Sequence, residues 1–134
     1  MQKVEAIIYR INDKNTPEFL ICKRPPSWGG FWQFVTGKVD EGESLEDAVR
    51  REVEEEIGVT NIKQIKKTDI SFSFKNYQNV EAIEHVFLVK LAQDTEIKLN
   101  HEFEEYLWLP YKDALKKLDW MNHKLNLERI LDKV

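Results

Sequence analysis

The chain has 134 residues, with 20 basic and 24 acidic side chains and a formal net charge of -4. That length fits one ordinary domain spanning residues 1–134, and an apolar content of 42% is enough for a core. The near balance of charge argues against a non-specific binder of long DNA or RNA, which is usually basic, yet leaves room for a small phosphorylated ligand on a local basic patch.

The first ten residues carry Lys3, Glu5 and Arg10 and no long apolar run. Neither a signal peptide nor a membrane span is expected there, and a soluble cytoplasmic protein is the default. Val4 to Ile11 is rich in β-branched and aromatic residues and reads as a strand. Asn12 to Pro17 is a turn cluster, and Phe19 to Cys22 is a second strand that completes a hairpin. Cys22 is the only cysteine, so no internal disulfide forms; after Leu20 and Ile21 it reads as a small buried hydrophobe. Pro25 to Gly30 is a loop, Phe31 to Val35 a short apolar strand, and Gly37 to Glu43 another loop.

Ser44 is a good helix N-cap, with Asp47 three residues on, and the helix is expected to run to Ile57 and stop at Gly58. Ile62 to Phe74 and Ala82 to Leu91 read as strands around a turn at Asn76 to Asn79. Tyr106 to Leu109 is a short strand, Pro110 suits the first turn of a helix through Leu118, and Trp120 to Leu131 forms a last amphipathic helix. The order β-β-β-α-β-β-β-α-α implies an α+β fold, a mixed sheet with helices packed on it.

The helix after Ser44 carries an anomaly. With Glu52 at zero and ~100° per residue, Leu45 falls at ~20°, Val49 at ~60°, Val53 at ~100° and Ala48 at ~-40°. Glu56 at ~40° and Glu55 at ~-60° share or border that apolar arc, while Glu54 at ~-160° points away. Like charges at these spacings repel, and partial burial increases the cost, so the cluster needs a compensating cation. Hard oxygen ligands suit Mg2+ or Mn2+. The plainer alternative is a solvated acidic face paired with Arg50, Arg51 or Lys38.

The pattern around those glutamates resembles the Nudix box, G-x5-E-x7-R-E-U-x-E-E-x-G-U with U a bulky aliphatic. Gly37, Glu43, Arg51, Glu52, Val53, Glu55, Glu56, Gly58 and Val59 occupy every fixed position. The resemblance implies an α/β/α sandwich with a metal-holding loop-helix-loop and a pyrophosphohydrolase acting on a nucleoside diphosphate linked to some group X. Glu52, Glu55 and Glu56 match the metal-binding glutamates, with a backbone carbonyl at Gly37 or Thr36 as a further ligand. Arg51 and Glu43 match an internal ion pair that orients the helix, and Gly58 reads as helix termination. Glu52 is the first choice of general base; Glu102 matches a glutamate that some members use from a later loop, with Glu104 and Glu105 as rivals.

For the substrate, Arg24 with Lys23 and Lys38 are candidates for phosphate contacts. Trp28 and Trp32 are either ring-stacking residues or ordinary packing. Phe31-Trp32-Gln33-Phe34-Val35-Thr36-Gly37 and Trp120-x-Asn122 resemble the dihydroneopterin triphosphate pyrophosphatase branch, once described as acting on dATP. Glu102 with Tyr106-Leu107-Trp108-Leu109 resembles a run in diadenosine tetraphosphate hydrolases, with Phe103 and Leu107 departing from it. A sanitiser of mutagenic nucleotides and a non-catalytic nucleotide-binding domain are further alternatives. His85, His101 and His123 are assigned to packing or surface, not to metal. Met121, Leu125, Leu127, Ile130 and Leu131 read as core or subunit contacts, compatible with a monomer or a homodimer.

Overall fold

In the computed structural model, which describes residues 1–134, the central strand is β1 (Gln2–Ile11). Val4 to Tyr9 are buried on both faces of the sheet, the condition of a strand covered by helices on either side. Along one edge β1 pairs in parallel with β6 (Glu81–Lys90), from Gln2 opposite Ile83 to Tyr9 opposite Lys90. Its other edge is shared: β4 (Val35–Lys38) runs antiparallel to Lys3–Ala6, and β2 (Pro17–Lys23) to Tyr9–Ile11. β2 then pairs with β3 (Trp32–Gln33), and takes β7 (Glu105–Pro110) along its far edge. β5 (Gln64–Lys75) closes the sheet as a hairpin with β6, with a register shift between Lys67 and Ser71.

Helix α1 (Leu45–Ile57) covers one face of this mixed seven-stranded sheet over Ala6, Ile8, Leu20 and Val35. Helices α2 (Tyr111–Lys117) and α3 (Met121–Ile130) cover the other over Ile7, Phe19, Phe34 and Leu88. The layers are those of the Nudix-type sandwich, and Cys22 lies fully buried among the α1-side residues. No helix is long and apolar enough to cross a membrane.

Three local expectations change. Phe31 to Val35 is not one strand: the chain breaks at Phe34, because β3 continues along β2 while β4 crosses to β1. Gly37 consequently lies inside β4 and not in a loop. His123, expected on a helix surface, is 4% exposed, and it lines up with Asn126, Leu127 and Ile130 on the inner face of α3. The phase follows from an acid, Glu5, in the sheet beneath: His123 Nε2 approaches Glu5 Oε1 to 2.9 Å and the Asn126 amide donates to Glu5 Oε2 at 2.9 Å. Met121, Leu125 and Leu131 are thereby turned outward.

The ends of α1 form as read. The Asp47 N–H donates to Ser44 Oγ at 3.0 Å, and Gly58 adopts φ 69° with its N–H on the Glu54 carbonyl. A side chain at Gly58 would be strained by that φ and would crowd Lys98. Ser44→Ala is therefore expected to cost about 1 kcal/mol and Gly58→Ala about 1–2 kcal/mol. Urea unfolding midpoints at unchanged m-value measure both.

Candidate active site

The glutamates of α1 are buried in graded fashion. Glu54 points to solvent; the Glu55 side chain is 54% exposed, Glu52 12% and Glu56 1%. The gradient follows from helical phase, since Glu52 and Glu56 flank the buried Val49 and Val53 while Glu55 stands one step around the helix.

Arg51 organises the exposed half of this group. Its Nε and Nη2 donate to the two Glu43 oxygens at 2.8 and 3.0 Å, a bidentate fork. Nη2 also donates to the Lys38 carbonyl at 2.8 Å, and Nη1 to Glu52 Oε1 at 2.7 Å and Glu55 at 3.4 Å. The fork, with a second bond from the Asp40 N–H, holds Glu43 down at about 2. The Arg51 guanidinium is correspondingly fixed in its charged form. Gly37 sits directly against Glu52; a Cβ at Gly37 would collide with the Glu52 carboxyl. The glycine is thus required by close approach, its backbone occupying space a side chain would take from the carboxylate.

Glu56 is the most unusual group. Both of its carboxyl oxygens are buried with no hydrogen-bond donor. Burial, then its contact with Glu102 and the charge of Glu52, push it up to about 10. Arg24 holds Glu102 from the other side, with Nη1 on Glu102 Oε2 at 3.3 Å, and comes within 4.0 Å of Glu56. Glu102 is lowered in turn, by its contact with Glu56 and then by Arg24. Glu52 is raised, chiefly by burial and against the pull of Arg51. Orphaned oxygens on Glu56, an adjacent half-buried Glu52 and an open approach over Gly37 fit a hard divalent cation, which would supply the missing electrostatic partner. Glu104 pairs with Lys23 at 3.2 Å and Glu105 is exposed, so of the three late glutamates only Glu102 reaches this cluster.

Two cavities, of about 470 and 480 Å³, lie beside the carboxylates and share Lys3, Arg24, Thr36 and Phe74 in their walls. One reaches Gly37 and Lys38; the other extends under α3 to Gln33, Glu84, Trp120 and Asn122. Together they form a groove from the acidic cluster to the α3 side of the sheet. Trp28 is 49% exposed, edge-on to His101 and beneath the Arg24 guanidinium, outside both cavities. Trp32 is 9% exposed, packed in the α3-side core with Lys117 over its ring, and its backbone N–H donates to Asp119 Oδ2 at 2.8 Å. Neither tryptophan lines the groove.

A model of the NUDIX domain matches residues 1–129. The chain belongs to the Nudix family. It is 36% identical over 124 residues to the RNA pyrophosphohydrolase of a Nitratiruptor species, covering 82% of this chain and 77% of that protein. It is 31% identical over 117 residues to nucleoside triphosphatase NudI of Escherichia coli, covering 76% of this chain and 79% of that protein. Among solved structures, the E. coli dihydroneopterin triphosphate pyrophosphohydrolase superposes with a TM-score of 0.81 at 22% identity, covering 99% of this chain and 96% of that one. With a complete box on a Nudix fold, the chain is a hydrolase of phosphoanhydride bonds.

A second acidic group lies away from the Nudix helix. Glu5, Glu84 and His123 are all buried, with ligand-type atoms within 4.8 Å of one another. A metal there is disfavoured by the tautomer: His123 Nδ1 accepts the Phe34 N–H at 3.3 Å, which leaves the proton on Nε2, the atom nearest Glu5. That N–H is poorly aligned with Glu5 Oε1, which has no good donor despite the 2.9 Å approach. Motif reading missed Glu5, Glu84, Lys3 and the Phe72–Phe74 wall. The available signal was an acid placed in strand runs that are otherwise apolar on the same face, Glu5 with Ile7 and Tyr9, Glu84 with Val86 and Leu88.

Two outcomes follow. Glu43 lies below its ordinary 4.5 in the folded state, so its stabilising contribution is complete above pH 4.5 and is lost as pH falls toward about 2. Glu43→Gln should therefore show a shallower fall of melting temperature across that window than the parent protein. Gly37→Ala should displace Glu52 and lower kcat for phosphoanhydride hydrolysis about 10²-fold with a near-normal melting temperature.

Proposed function

We propose that the Nudix site cleaves a nucleoside or pterin triphosphate, of the dihydroneopterin triphosphate or dATP type, to the monophosphate and pyrophosphate. The observation that carries this reading is Glu56, a buried carboxyl with neither oxygen hydrogen-bonded, beside Glu52 and 4.0 Å from Arg24, which lines the basic groove. The α1 glutamates 52, 55 and 56, with a carbonyl at Gly37 or Thr36, would hold Mg2+ or Mn2+, which when bound neutralises phosphate oxygens and acidifies water. Arg24 and Lys38 line the groove and bind the outer phosphates. Glu52, held at one oxygen by Arg51, accepts the proton of the attacking water. Glu102 is the rival base; its ties to Arg24 and Glu56 suit it equally to positioning Arg24.

The RNA pyrophosphohydrolase relative favours a second reading, the same cleavage at the 5′ end of an RNA, with only the terminal nucleotide in the groove. Net charge speaks against non-specific binding of long chains, not against recognition of an end. A diadenosine tetraphosphate hydrolase is less well supported: Phe103, at the position of that family's histidine, is 3% exposed in the α1-side core with Arg24 over its ring. A purely binding role has against it a box with no eroded position.

The test is a panel of triphosphates, diadenosine tetraphosphate and 5′-triphosphorylated RNA with Mg2+, with products identified. Pyrophosphate is expected; orthophosphate alone from every substrate would overturn the reading. Glu52→Gln and Glu56→Gln should each lower kcat about 10²–10⁴-fold with the fold retained by circular dichroism. Undiminished turnover in both would remove the site assignment. The pH–rate profile of Glu102→Gln then separates the two bases: loss of the acidic limb assigns the proton to Glu102, its persistence to Glu52.

A further inference from the structure

The α3-side half of the groove contains a carboxyl that the hydrolytic chemistry does not use. Glu84 is 3% exposed, lines the cavity, and makes no hydrogen bond; its one ion-pair partner is Lys3 Nζ at 4.0 Å. Beyond that long ion pair, no donor of the protein hydrogen-bonds to it. Glu5 beside it is engaged by Asn126 and closely approached by His123, and the Gln33 amide is spent on the Phe34 carbonyl and the Trp120 indole N–H. A buried carboxyl without a hydrogen-bond donor is costly and is retained where something else supplies its donors.

The walls indicate what that is. Phe72, Phe74 and Trp120 give the cavity flat apolar surfaces, and its volume of about 470 Å³ suits a bicyclic heterocycle. A carboxylate accepts two parallel donors spaced as its oxygens are. Among biological ring systems that edge is a ring N–H beside an exocyclic amino group, the 2-amino-4-oxo pyrimidine edge of guanine and of pterins. Adenine presents a donor beside an acceptor and does not match. Asn122, also in the wall and without a hydrogen-bond partner, has an amide to donate to the 4-oxo oxygen.

We propose that Glu84 is a specificity-determining residue that reads the 2-amino-4-oxo edge of a guanine or pterin ring seated between Phe72, Phe74 and Trp120. Burial and neighbouring Glu5 raise Glu84 to about 7, so arrival of two donors is what holds the carboxylate form in place. This inference rests on the triphosphatase reading above for its substrate orientation, but not for its chemistry.

The experiment compares GTP with ITP, which lacks only the 2-amino group, and with ATP. The parent enzyme should favour GTP over ITP in kcat/KM by about ten- to a hundredfold, the range of a hydrogen bond to a charged group. Glu84→Gln should erase that ratio, with the larger loss falling on GTP and carried chiefly by KM. Equal kcat/KM for GTP and ITP in the parent, or an undiminished ratio in Glu84→Gln, overturns the proposal. Binding of GMP against IMP to the parent protein, followed by calorimetry, repeats the comparison without turnover or a variant that must fold. Absent hydrolysis with GMP preferred would defeat the triphosphatase reading and keep the Glu84 assignment; hydrolysis with GMP and IMP bound alike does the reverse. Dihydroneopterin triphosphate in the same panel separates the two sources of the edge: a pterin enzyme has the higher kcat/KM with it than with GTP, a guanine enzyme the lower.

Discussion

Glu56 stands at a position where the helix would be more stable with an aliphatic residue. It lies on the inward face of α1 between residues that pack against β1 and β4, yet it brings a carboxyl with no hydrogen-bond donor on either oxygen. Leaving water without compensation costs a carboxylate several kcal/mol. Much else in the architecture can be understood as accommodating this one group. Arg24 and Glu102 are drawn to it from β2's end and the loop before β7, and Arg51 braces the other acids of the helix so that they remain near it rather than splaying into solvent. The strain is local, and on the proposed reading a divalent ion would relieve it.

The sheet serves this arrangement by its forked pairing. Because β1 shares one edge between β4 and β2, the chain can pass from β3 to β4 with a break at Phe34, bringing Gly37 against α1. The glycine then lets backbone and carboxylate occupy adjoining space. On the opposite face the same strands carry Glu5 and Glu84 toward α3, so β1 and β6 each add one buried acid to an otherwise apolar row on that side.

How far all this was legible depends on how local each signal is. The Nudix helix could be read almost completely, including both caps and the inward phase of Glu52 and Glu56, because its geometry is set by residues a few positions apart. Glu55 came out more exposed than its neighbours, as its angular position allowed. The groove was harder: it joins Lys3, Arg24, Gln33, Glu84 and Asn122, which only tertiary pairing brings together. The two tryptophans were chosen for their chemistry alone, and one is consumed by the core while the other stands outside the groove. α3 misled for a different reason. Counting apolar residues put Leu125 and Met121 inside, but the sheet below offered Glu5, and a histidine and an asparagine answered it more favourably than hydrocarbon would.

Arg24 gives the groove an unusual economy. One guanidinium stacks over Phe103, contacts Glu102 and forms wall in both cavities. Selectivity for the ring and the rate of bond cleavage are therefore not separately adjustable at that position. Divergence toward new substrates has to proceed instead through residues that touch only one end, such as the aromatic pair on β5 or the first turn of α3, where changes alter what is admitted without disturbing how it is cut.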